Sequence, residues 1–351
     1  MRSAITAAAL VALSVAPAAA PADSGAAERP RDDLVSWLGG ELQRRIDDAT
    51  RPAPVPPVPV KVVWRSRRLA AVDLGAPLLA IAAADVDGDG AAELVALTTR
   101  EALVLELSGK RKVSIAARVE LPGAAPEKRP RDAVGALVVD DTDGDGVPEI
   151  MARASEQAKG ARWVWRDGKL APLGELSGYP LCAGVTAELA PGRNYFTGDS
   201  FEWSRGGEAP EAAPEFYAAR CRADLVDAEG MPVALFGLVD SGGTLVVTRV
   251  DARAARIEVR KRGVAFDIAD VDNDGSAEII TTTNRAPGRG DQVHVYAIQG
   301  GTLERIAKSK RFTGGVAGIA TGDIDGDGDR DVVAAIRLVG SSKVDLWTLN
   351  R

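Results

Sequence analysis

Carboxylates recur at fixed offsets in four stretches of this 351-residue chain. They read Asp85-Val-Asp-Gly-Asp-Gly-Ala-Ala-Glu93, Asp141-Thr-Asp-Gly-Asp-Gly-Val-Pro-Glu149, Asp270-Val-Asp-Asn-Asp-Gly-Ser-Ala-Glu278 and Asp323-Ile-Asp-Gly-Asp-Gly-Asp-Arg-Asp331. Acids stand at positions 1, 3, 5 and 9 of each. The sets are Asp85, Asp87, Asp89 and Glu93; Asp141, Asp143, Asp145 and Glu149; Asp270, Asp272, Asp274 and Glu278; and Asp323, Asp325, Asp327 and Asp331. A tight loop can turn such side chains toward one point, where a hard cation seeking about 6–8 oxygens can sit. Without a cation, four carboxylates that close repel one another or hold protons. The main-chain carbonyl at position 7, from Ala91, Val147, Ser276 or Asp329, offers one more oxygen. Glycine at position 6 (Gly90, Gly146, Gly275, Gly328) permits the positive φ of the sharp turn. The pattern predicts calcium loops, about four ions in all.

What positions these acids follows from their flanks. An EF-hand needs a bidentate Glu at position 12, and here that position holds Ala96, Ala152, Thr281 and Ala334. Apolar runs stand before the loops (Leu78–Ala82, Ala136–Val139, Val264–Ile268, Val316–Ala320) and after them (Leu94–Leu97, Ile150–Ala152, Ile279–Thr282, Val332–Ile336). Short apolar runs on both sides of a turn predict hairpins. Position 2 is aliphatic in Val86, Val271 and Ile324, with Thr142 the exception, so one side of each loop should face a core. From about Val60 onward the chain resembles the FG-GAP/VCBS repeat family, β-propellers with integrin-α-like calcium loops. The stretch Phe312–Asp329 matches that repeat most fully. The resemblance implies an all-β propeller. It also implies ligands on the face away from the metal hairpins, where loops 122–133 and 284–291 are longest.

The first acids stand at 85, 141, 270 and 323, and the long middle interval holds two degenerate repeats. Asp227-Ala-Glu229-Gly230 aligns with an acidic loop by its glycine, while Gly184–Tyr195 has no usable carboxylates. The expected architecture is six blades of four-stranded antiparallel sheets, with seven as the alternative count. Outer strands are expected at Ala102–Leu107, Val113–Val119, Gln292–Tyr296, Leu303–Ala307 and Val344–Leu349. Val60–Trp64 or Ala70–Leu74 would supply the strand missing from the last blade and close the ring, hiding two sheet edges.

Residues 1–22 have the form of a secretory signal peptide: Arg2, an apolar run from Ala4 to Val15, and small residues before the cleavage site. Residues 23–59 form a leader, with an amphipathic helix expected over 32–49 and a Pro-rich linker over 51–59. The propeller then occupies 60–351. No stretch is long and apolar enough to predict a transmembrane segment. The expected location is exported: periplasmic, cell-surface or secreted. Net charge is −7, one unit more negative without Arg2, and four divalent cations would cancel it. That acidic balance argues against a nucleic-acid partner.

Cys182 and Cys221, the only cysteines, fall on the innermost strands of the two metal-free blades. Two readings stand: a disulfide stapling those blades, or a pair of buried thiols. The single histidine, His294, alternates with Val293 and Val295 and reads as a sheet-face residue rather than a base. Tyr195, Phe196, Phe201, Trp203, Phe216 and Tyr217 gather in the same two blades, as core packing or as a ligand platform. Arg289-Gly-Asp291 spells an integrin-recognised tripeptide, read here as a chance match. Basic runs such as Arg65–Arg68 and Lys308–Arg311 suit solvated outer strands.

Together these features predict a non-enzymatic binding or scaffold module for a protein or polysaccharide partner, with structural calcium. Two competing classes are a calcium-dependent carbohydrate-active enzyme and a structural part of a cell-envelope machine recruited through residues 31–50.

Overall fold

The computed structural model describes residues 64–350, less 109–111, 123–133, 155, 156, 158, 205–208, 227–231, 251–255, 284–288, 300, 301 and 338–340. The signal peptide, leader helix, Pro-rich linker and Val60–Val63 lie outside the described residues, as does the degenerate repeat at 227–231.

Twenty-four strands form six antiparallel sheets among the described residues. The chain begins with β1 (Arg65–Asp73). Blade one follows as β2–β5: Leu78–Ala84, Glu93–Thr98, Glu101–Ser108 and Lys112–Glu120. Blade two is β6–β9: Gly135–Asp140, Glu149–Ala154, Gly160–Arg166 and Lys169–Leu176. Blade three begins with β10 (Tyr179–Cys182) and β11 (Val185–Ala187); β12 (Phe196–Thr197) and β13 (Glu202–Trp203) come next. Blade four is β14–β17: Glu215–Val226, Pro232–Asp240, Thr244–Arg249 and Arg256–Arg260. Blade five is β18–β21: Phe266–Ala269, Glu278–Thr282, Val293–Gln299 and Thr302–Lys308. Blade six is β22–β24: Gly315–Gly322, Asp331–Arg337 and Lys343–Asn350.

Ring closure joins the two ends of this series. β1 pairs with β24 from Arg65↔Asn350 to Asp73↔Lys343, completing blade six with a strand from the front of the chain. Of the two expected closing segments, Ala70–Leu74 is the one that overlaps β1, and Arg68 adds an ion pair to Asp345 at 2.7 Å. Six blades agree with the preferred count. Four of them are four-stranded; blades three and four are not. β12 leaves blade three to pair with β14, so blade three has three strands and blade four has five. Short, turn-rich segments decide this: β11 and β13 are three and two residues long and offer few ladder bonds.

Burial grades outward as a radial stack requires. Every residue of the second strands β3, β7, β19 and β23 is buried, apart from the half-buried Arg337 at the end of β23. The outer strands β5 and β21 are mostly exposed or half-buried. A strand sandwiched between neighbouring blades reads as a continuous apolar run, whereas an outer one carries solvent-facing polar residues. The core is therefore a set of layers between blades. One such layer joins Leu78, Ile81 and Leu94 of blade one to Val333 and Leu346 of blade six. Around the channel the inner strands approach closely: a Cβ on Gly318 would lie 2.6 Å from Ile81 Cγ2. Only glycine fits there.

Candidate metal centres

Each acidic stretch is the turn between a blade's innermost strand and its second: β2–β3, β6–β7, β18–β19 and β22–β23. The apolar runs become the paired strands, and the acids fill the turn. Their first aspartate organises the loop itself. Asp85 accepts from Gly88 N at 2.7 Å and from Gly90 N at 3.0 Å. Asp141 accepts from Gly144 and Gly146, Asp270 from Asp274 and Gly275, and Asp323 from Gly326 and Gly328. The position-6 glycines have φ between 87° and 95°. Position 4 also takes a positive φ, met by glycine in three loops and by Asn273 (φ 54°) in the fourth; asparagine tolerates this region better than most residues. The position-5 carboxylate accepts from the position-7 N–H in every loop (Asp89 from Ala91, Asp145 from Val147, Asp274 from Ser276, Asp327 from Asp329).

The last acid lies beneath the loop and is buried in all four. Glu93 accepts from Val86 N at 3.0 Å, Glu278 from Val271 N at 2.9 Å, and Glu149 from both the N–H and the hydroxyl of Thr142. Val86, Val271 and Ile324 are buried, as an aliphatic position 2 requires.

Ligand oxygens converge in each loop. Those of Asp85, Asp87 and Glu93 lie within 4.8 Å of one another, as do those of Asp270, Asp272 and Glu278. In the other two loops the converging sets are Asp141, Asp143 and Asp145, and Asp323, Asp325 and Asp327. Positions 1 and 3 thus meet everywhere, joined by position 9 in two loops and position 5 in two.

Electrostatics mark these clusters as short of positive charge. Burial, then the neighbouring loop aspartates, pushes Glu93 up to about 7 and Glu278 up to about 9, against the opposing N–H bonds from Val86 and Val271. Asp331 rises to about 7 for the same reasons, and Asp325 is raised as well. Glu278 Oε1 and Asp331 Oδ2 are buried oxygens with no hydrogen-bond partner. A site made only of carboxylate and carbonyl oxygen suits a hard cation rather than zinc or copper.

The remaining sequence-level candidates resolve differently. Cys182 of β10 and Cys221 of β14 are disulfide-bonded, with Cα atoms 5.5 Å apart. His294 is a buried residue of β20, its Nδ1 accepting from Arg262 Nη1 at 3.1 Å. Asp291 is buried, its carboxylate accepting from Thr283, Gln292 and Val316, so the tripeptide it ends is not displayed. Phe196 stacks on Phe216 at 5.4 Å, and Trp203 meets Phe236 edge-on at 6.2 Å: most of the aromatic group is core. Gly184–Tyr195 is not an inner-hairpin loop. The turn between β10 and β11 is Ala183-Gly184, and residues 188–195 follow β11 instead. Position-specific features that the acid pattern does not reveal include Asn273, whose amide donates to Asp329 of the next loop at 2.6 Å. The only signal for it in sequence is its departure from glycine at position 4.

Fold and loops together define a six-bladed β-propeller with acidic turns between the inner strands of four blades. Residues 270–334 match the FG-GAP-like repeat family, so the chain is a propeller that carries the FG-GAP-like repeat. No curated protein matches the chain. Among solved structures, BBS1N in complex with ARL6DN, soaked with mercury, is similar at 12% identity and a TM-score of 0.45, covering 83% of this chain and 98% of that one. The tail fiber of a Staphylococcus aureus phage is similar at 13% identity and a TM-score of 0.39, covering 88% of this chain and 56% of that one. No helix among the described residues is long and apolar enough to cross a membrane.

Proposed function

We propose that this chain is an exported calcium-binding propeller that serves as a binding or scaffold module for a protein or polysaccharide partner. The observation that carries the calcium reading is the pair of buried, partnerless carboxylate oxygens, Glu278 Oε1 and Asp331 Oδ2, in turns already crowded with aspartate. Calcium bound by positions 1, 3, 5 and 9 and the position-7 carbonyl would satisfy them. It would also pin each inner hairpin. Export agrees with the Cys182–Cys221 disulfide, since such bonds persist in oxidising compartments.

The ligand face in this reading is the one away from the hairpins. There the channel opens into a cavity of about 660 Å³ lined by Tyr217, Pro180, Val264 and Val316, with Val264 51% exposed. Binding rather than catalysis is favoured because the single histidine is packed against Arg262 and Tyr296, and the acids that cluster among the described residues are the loop acids. Two measurements test the proposal together: calcium stoichiometry by equilibrium dialysis, and a polysaccharide and envelope-protein panel scored for both retention and turnover. About four ions with retention and no turnover are expected. No calcium uptake, or hydrolysis of a retained polysaccharide, overturns it.

A further inference from the structure

The other mouth of the channel, on the hairpin side, is a recess of about 1080 Å³. Part of its lining comes from blade three, from Pro180 to Thr186. Where four blades carry an acidic loop, blade three turns at Ala183-Gly184, and its strands are only two to four residues long. Arg162 of β8, Arg220 and Arg222 of β14, and Arg330 of the blade-six loop line the space left.

One of these cations, Arg162, has no acidic partner among the described residues, while Arg220 feels the charge of Asp267. Arg220 reaches across the channel, its guanidinium donating to Leu137 O at 2.9 Å and Ile81 O at 3.4 Å. Both are main-chain carbonyls, which do not cancel its charge. Arg162 has its Nε buried with no hydrogen-bond partner. Neither forms an ion pair among the described residues. Aspartates also line the recess and oppose these cations. Asp85, Asp141 and Asp323 are first ligands of three different loops, so a divalent cation in each loop would offset part of their charge at the rim. The other lining acids, Asp140 and Asp267, belong to no acidic loop, and Asp267 already accepts from Thr321 Oγ1 at 2.9 Å.

The geometry points to a binding site for an oxyanion group, the carboxylate or sulfate of an acidic saccharide, that accepts its ligand when the neighbouring loops hold cations. Planar guanidinium forks match such groups. Without cations the rim aspartates repel the same ligand. The inference rests on the calcium reading above, and linkage makes the coupling reciprocal.

Calorimetric titration of the full chain with digalacturonate, with sulfate, and with neutral lactose tests it, in saturating calcium and in chelator. At least one anionic probe should bind, lactose should not compete with it, and chelation should weaken binding by about tenfold or more. Both anions binding identifies a general oxyanion site; digalacturonate alone identifies a carboxylated sugar. Arg162→Gln should weaken the anion by about tenfold while calcium stoichiometry stays that of the parent protein. Arg220→Gln serves as second variant where it folds. Normal calcium uptake with no anion binding overturns this inference alone, as does anion binding indifferent to Arg162→Gln. Absence of calcium uptake overturns the earlier reading and this one with it.

Discussion

The side-chain amide of Asn273 donates to Asp329 Oδ1 at 2.6 Å, joining the acidic loop of blade five to that of blade six. The series continues around the ring: Ala92 N, at position 8 of the blade-one loop, donates to Asp323 O at 2.6 Å. Three consecutive loops are therefore mechanically linked through main-chain and side-chain bonds. Asn273→Gly keeps the positive φ while deleting the amide, and Asp329→Ala deletes the acceptor. A double-mutant cycle between them should give a coupling of about 0.5–1.5 kcal/mol in urea unfolding with calcium present. A value indistinguishable from zero would make the bond a surface accident.

Metal removal should expose how far the turns depend on their ions. With calcium about tenfold above a site's Kd, each ion stabilises the fold by roughly 1.4 kcal/mol. Glu278 is buried among three aspartates and pushed up to about 9 without a cation, so Glu278→Gln replaces a neutral group in chelator but removes a charged ligand in calcium. The variant should lose more stability relative to the parent protein in calcium than in chelator, with one ion fewer bound. Equal losses in both conditions would argue that Glu278 is no ligand.

His294 makes a pH prediction with a defined sign. Burial first, then Arg262, depresses its pKa to about 4, against about 6.5 in an unfolded chain. As pH falls through 6.5 the unfolded chain takes up a proton that the folded chain refuses. Stability present above pH 6.5 is therefore lost progressively down to about pH 4, by at most about 1.4 kcal/mol per pH unit. Because the chain has one histidine, its ring-proton NMR signal reads the titration directly. A midpoint near 6.5 would mean that the contacts with Arg262 and Tyr296 do not persist in solution.

The disulfide links β10 to β14 and closes a span of 39 residues. Chain-entropy reasoning assigns such a closure about 4 kcal/mol. Cys182→Ala with Cys221→Ala should lower the melting temperature while leaving calcium stoichiometry intact, because neither residue belongs to a loop. Unchanged melting would show that blades three and four are held by their aromatic layer alone.

Legibility of the fold varied with how local its signals are. Acid offsets, position-6 glycines and flanking apolar runs all act within about ten residues, and the hairpins they predict at β2–β3, β6–β7, β18–β19 and β22–β23 are all present. Blade three was poorly legible. Its turn at Ala183-Gly184 carries no acid, and the degenerate repeat read over Gly184–Tyr195 falls largely where the chain has already left β11. The strand exchange of β12 had no signal either, since two residues hold no periodicity. Nothing near Asp291 in the sequence signals its burial, because Val316 of blade six helps to fix its carboxylate.

By itself the sequence determined where hairpins form and which oxygens can meet in each turn, because a nine-residue loop fixes its own geometry through bonds between near neighbours. Tertiary structure decided what lies between blades. It chose which front segment closes the ring, brought Cys182 to Cys221, tied Asn273 to Asp329, and set Arg220 across the channel from Ile81. Such contacts include the disulfide across 39 positions and the Arg68–Asp345 bond across 277, and only closure of the ring brings residues so distant within bonding reach.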